Sequence, residues 1–89
     1  GYNFRLLYAQ GPAAPGGVRD YIVNGRMIGG FAAIAWPVRY GETGVMTFIV
    51  SQSGDVYQRD LGPETAQRAA AIATFNPDKD WTKADMTPP

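Results

Sequence analysis

Hydrophobic and polar positions alternate most clearly between Phe31 and Asp60, where three extended runs are separated by Gly41-Glu42-Thr43-Gly44 and Ser53-Gly54-Asp55. The first run, Phe31 to Tyr40, sets Phe31, Ala33 and Ala35 on one side and Ala32, Ile34 and Trp36 on the other. Both sides are apolar, which predicts a central strand covered on both faces. Pro37 cannot donate to a ladder, so it marks a bulge, a strand end or an unpaired edge. The second run, Val45 to Ser51, alternates Met46, Phe48 and Val50 with Val45, Thr47 and Ile49, and the third is Val56 to Asp60. Runs of this length broken by Gly-containing turns predict an antiparallel meander. A further strand is predicted over Tyr2 to Gln10. There Tyr2, Phe4, Leu6 and Tyr8 are uniformly large and apolar or aromatic, which makes theirs the expected core face.

Elsewhere the pattern is punctuated. Gly11 to Gly17 holds two Pro and three Gly and predicts a loop. No Lys-Ser/Thr follows it and no helix opens there, so it fails as a phosphate cradle. Val18 to Val23 and Arg26 to Ile28 flank Asn24-Gly25, a strong hairpin signal because a type I′ turn needs positive φ at both central positions. Gly62, Pro63 and Glu64 have the order of a helix start, with Gly62 as cap. The helix is expected to run to about Thr74, with an apolar stripe of Ala66, Ala69, Ala70, Ile72, Ala73 and Phe75, and to stop at Asn76-Pro77. The expected fold is α+β: an antiparallel sheet of about four to six strands with one C-terminal helix packed on one face. Residues 1–80 form one β-rich domain, and residues 81–89 a polar, Pro-ended tail anchored by Trp81.

Composition narrows the chemistry. At 89 residues one domain is expected, and one with a modest core. Eight basic and eight acidic residues balance and are spread out, leaving no basic stripe for nucleic acid. No apolar run is long enough to span a bilayer. The chain has no His and no Cys. That removes the usual general base near neutral pH, the thiolate nucleophile, disulfides and the common zinc and haem ligands. No cofactor and no catalytic residue is assigned.

Carboxylates remain. Asp55 and Asp60 bracket the last predicted strand and Glu42 lies on a turn, but nothing in their spacing sets two of them across a cleft, and solvated turn acids is the simpler reading. Asn76, Asp78 and Asp80 alternate like the start of a calcium loop, yet the sixth and twelfth places hold Trp81 and Thr87 rather than Gly and an acid. A helix-stop turn accounts for them better, and no metal site is assigned. Aromatic residues make up 12% of the chain, more than one sheet and a short helix can hide. Tyr2, Phe4, Tyr8, Trp36, Tyr40 and Trp81 are the candidates for an exposed strip that binds sugars, peptides or partner subunits. Ordinary core packing with scattered surface tyrosines is the competing account.

Two resemblances add to this. The runs Gly1-Tyr2-Asn3-Phe4-Arg5-Leu6-Leu7, Asp20-Tyr21-Ile22-Val23-Asn24-Gly25, Tyr40-Gly41-Glu42-Thr43-Gly44-Val45-Met46-Thr47-Phe48 and Asp60-Leu61-Gly62-Pro63-Glu64-Thr65-Ala66, with their neighbours, resemble a family of secreted bacterial proteins known as a domain of unknown function. That resemblance implies export to the periplasm or the extracellular space and a longer precursor, and it brings no catalytic residues. Ala35-Trp36-Pro37-Val38-Arg39-Tyr40-Gly41-Glu42-Thr43-Gly44, continuing to Phe48, is similar to the C-terminal sheet of some type IV pilins and pseudopilins. Their long apolar N-terminal helix has no counterpart here. Gly1 leads straight into a strand without an initiator Met, which also suggests a processed or partial chain.

The expected function is a non-enzymatic, exported structural or assembly subunit, with protein partners or copies of itself, in a pilus-like fibre or envelope complex. A secreted module binding glycan or peptide through surface aromatics is the alternative. A carboxylate-dependent hydrolase ranks last.

Overall fold

A computed structural model describes residues 1–85; residues 86–89, the end of the expected tail, lie outside the described residues. The strands are β1 (Tyr2–Leu7), β2 (Ala9–Gln10), β3 (Arg19–Asp20), β4 (Ile22–Val23), β5 (Arg26–Met27), β6 (Ala32–Pro37), β7 (Thr47–Ser51), β8 (Val56–Arg59) and β9 (Thr82–Lys83), and the one helix, α1, spans Thr65–Ala70. The main sheet has five strands in the order β1-β6-β7-β8-β9, every neighbouring pair antiparallel. Two short ribbons, β2-β3 and β4-β5, complete the structure. The meander is where the alternation placed it, and Pro37 ends its first strand. The β4-β5 turn takes Asn24 at φ 51° and Gly25 at φ 77°, as a type I′ turn demands.

Directly opposed residues of an antiparallel sheet share a face, so the register sorts the side chains. One face carries Leu7, Ala32, Ile34 and Ile49, all buried. Together with Tyr21, Leu61, Ala69, Phe75 and Trp81 they form the core, and α1 packs over β6 on this side. The other face carries Phe4, Leu6, Ala33, Ala35, Phe48, Val50 and Val56. Two expectations are corrected here. Phe4 and Leu6 lie on the solvent side of β1 rather than in the core, being 78% and 48% exposed. β6 is central but has a helix on one face only, its Ala33 and Ala35 remaining half-buried on the other. The register accounts for this: Leu7, Ile34 and Ile49 share a face with Arg5, whose guanidinium bonds the Ala69 and Ile72 carbonyls at the end of the helix, and Phe4 and Leu6 fall on the opposite face.

The helix is shorter than its apolar stripe suggests. Gly62 is not its cap. It adopts φ +81° and makes a turn in which its carbonyl accepts the Thr65 N–H and the Thr65 hydroxyl, so that Glu64 holds the N-cap position. At the other end the Arg5 guanidinium donates to the carbonyls of Ala69 (2.8 Å), Ala70 (3.3 Å) and Ile72 (2.7 Å). A cation on the last carbonyls of a helix satisfies orphan acceptors and complements the dipole. Beyond it Phe75 leaves helical geometry because its backbone pairs with β2, its N–H donating to Ala9 O and its carbonyl accepting from Gly11 N. The fold also continues past residue 80: Trp81 is buried, and Thr82–Lys83 adds the edge strand β9.

Candidate functional site

The open face of the main sheet is the feature least explained by stability. Two cross-strand rows build it. Phe4, Ala35 and Phe48 form one, and Leu6, Ala33, Val50 and Val56 the other. Larger side chains on β7 and β8 border two alanines on β6, leaving a depression of about 160 Å³ lined by Ala33, Ile34, Ala35, Phe48, Val50 and Val56. None of these side chains is charged. At one end the face is closed by the segment 38–46. There the Tyr2 hydroxyl donates to Met46 O (2.9 Å), and its ring lies 5.9 Å from that of Phe48. Gly44 makes room for this, since a Cβ there would collide with the Tyr2 ring and hydroxyl. The outer edge of β1 pairs with no other strand among the described residues.

The six aromatic candidates do not form one strip. Tyr2 and Phe4 share the open face. Tyr8 follows the end of β1 and is exposed. Trp36 lies opposite Asn3 on the helix-covered face and packs against the core. Trp81 belongs to the core, with the Arg59 guanidinium 6.0 Å from its ring centre. Tyr40 is half-buried, and its hydroxyl donates to Asp60 Oδ1 at 2.7 Å. That bond, followed by the one from the Gly62 N–H, holds the Asp60 carboxyl below its ordinary range, and it raises the Tyr40 hydroxyl. The non-aromatic members of the open face, Leu6, Val50 and Val56, are not among the site candidates read from the sequence, where Leu6 is expected in the core. Their alternation signalled a strand face without saying which side would be bare.

The three carboxylates weighed as candidate acids are each engaged separately. Asp55 pairs with Lys83 at 3.2 Å, Glu42 reaches Arg39 at 3.8 Å, and Asp60 is held by Tyr40 and Gly62. Asp78 accepts the Asp80 N–H within a turn, and Asn76 accepts the Ala13 N–H. Among the described residues no group of three or more Asp, Glu, His or Cys could hold a metal ion, and no helix is long and apolar enough to cross a membrane.

A second concavity of about 270 Å³ opens beyond the end of α1, with Arg59, Thr74, Asn76, Asp78 and Trp81 among its walls. It sets polar side chains around an aromatic one. Trp81 is among the residues singled out from the sequence, as a tail anchor and strip candidate; Arg59 is not, because it joins the indole only through the pairing of β8 and β9.

No curated protein and no solved structure matches the chain. The family described as "Protein of unknown function (DUF2950)" matches residues 1–84, the whole of the sheet, both ribbons and the helix, and the chain belongs to that family.

Proposed function

We propose that the chain is a non-enzymatic assembly subunit of an exported complex, packing against other protein chains through the bare face of its sheet. One observation carries this reading: a contiguous, uncharged apolar face on which Phe4 is 78% exposed. Scattered apolar residues on a surface need no explanation, but a continuous patch backed by a rigid sheet is characteristic of an interaction surface. The absence of His and Cys, and the separate engagement of Glu42, Asp55 and Asp60, favour assembly over catalysis. Export and a fibre-like setting rest on the sequence resemblances alone. Sedimentation velocity over a range of concentrations tests the reading. Species larger than the monomer are expected, and Val50→Lys, which places a charge in the middle of the face, should abolish them. Association that survives Val50→Lys, or a monomer at every concentration with no other polypeptide bound on this face, rules the reading out.

A module binding glycan or peptide is favoured by the concavity at Arg59 and Trp81, where planar polar side chains surround an indole. It predicts binding on a glycan array or peptide panel that is lost in Arg59→Ala with the fold retained.

A further inference from the structure

We infer that the bare face is taken by a second copy of this chain, the Phe4 ring of each copy seated in the apolar depression of the other. This rests on the assembly reading above and names its partner. The depression holds about 160 Å³ and its walls are Ala33, Ala35, Phe48, Val50 and Val56, with Ile34 at its base. An apolar cavity of about 150 Å³ accepts benzene, so the space suits one aromatic ring. The same face supplies such a ring. Phe4 is the most exposed large apolar side chain among the described residues, standing in the row of Ala35 and Phe48.

The placement of the two features suits a two-fold axis. Neighbouring strands lie about 4.8 Å apart. Phe4 is on β1, one strand to one side of β6, and the depression is centred on the other side, over β6 and β7. A two-fold axis parallel to the strands and near β6 therefore carries each Phe4 onto the other copy's depression, and both insertions form at once, as an isologous contact requires. The two sheets then stack face to face, about 10 Å apart. With no charge on the face, there is nothing for an oppositely charged partner to complement, and a copy of the same surface meets no like-charge repulsion. The footprint is small, roughly 300 Å² a side in projection for four strands of about five residues. The expected dimer is accordingly weak and concentration-dependent.

The test uses sedimentation velocity with two variants at exposed or half-exposed positions. Phe4→Ser removes the knob, and Ala35→Trp fills the depression. Each should weaken dimerisation by roughly tenfold or more, the scale for a buried aromatic anchor. Mixing the two, one carrying a fluorescent label, should give heterodimers tighter than either homodimer, because one intact knob then meets one open depression. If both variants associate like the wild type while Val50→Lys does not, the assembly reading stands and the Phe4 insertion falls. If the wild type is monomeric throughout and no other polypeptide occupies the face, or Val50→Lys has no effect, the assembly reading falls with it. If the chain alone is monomeric and a different polypeptide is found on the face, the second copy is the wrong occupant.

Discussion

Gln10 shows how much of this small fold depends on single polar side chains. Its amide is 3% exposed, donates to Pro15 O (2.9 Å) and Gly17 O (2.7 Å), and accepts the hydroxyl of the fully buried Tyr21 at 2.9 Å. The Gly/Pro loop thus closes around one glutamine. Tyr21→Phe should cost about 1–2 kcal/mol in urea unfolding, since it leaves the Gln10 oxygen buried and unpaired, and Gln10→Leu should cost at least as much. A double-mutant cycle should show the two strongly coupled. The opposite sign is expected at Thr47, whose buried hydroxyl has no hydrogen-bond partner among the described residues. Thr47→Val should be neutral or stabilising by up to about 1 kcal/mol. Asp60 gives the pH signature. Its carboxyl is held below the ordinary 3.8, so its contribution is complete above that value and is lost as the pH falls through the lower, folded-state value. Carbon NMR titration should find Asp60 titrating low, and Tyr40→Phe should move it up. Gln10 was not legible in advance because a glutamine beside a loop reads as surface. The only hint was a seven-residue Gly/Pro loop whose carbonyls needed a donor from somewhere.

At the level of elements, the six-residue α1 is too short to persist by propensity. It depends on packing and on Arg5. Arg5→Met keeps the stem and removes the donors, and should destabilise the protein by about 1.5–3 kcal/mol, with faster amide exchange at Ala71 and Ile72 as the local reading. The meander, the Asn24-Gly25 hairpin and the existence of the helix were legible because turn residues and alternation coincide there. The facing of β1 was not. Alternation separates two sides of a strand without saying which is covered. Here Arg5 on the inner side looked like a surface residue although its guanidinium caps the helix, while Phe4 and Leu6 on the outer side looked like core. The helix end was misjudged because Phe75, apolar and in phase with the stripe, spends its backbone on β2 instead.

For the whole molecule, an assembly held through one face links stability to concentration. The wild-type midpoint of thermal unfolding should rise as protein concentration increases, and that of Val50→Lys should not. Strand order has a different consequence, one of time. β6, β7 and β8 are consecutive in sequence and adjacent in the sheet, whereas β1 reaches β6 only across both ribbons, and β9 reaches β8 only after the helix. Closing the longer loops costs more chain entropy before any contact repays it. The meander should therefore form in the folding transition state and the outer strands afterwards. Ile49→Val should mainly slow folding, Leu7→Ala should mainly speed unfolding, and stopped-flow kinetics would separate the two. The strand that bears Phe4 would then be among the last to join the sheet, and the face would be complete only once folding is nearly over.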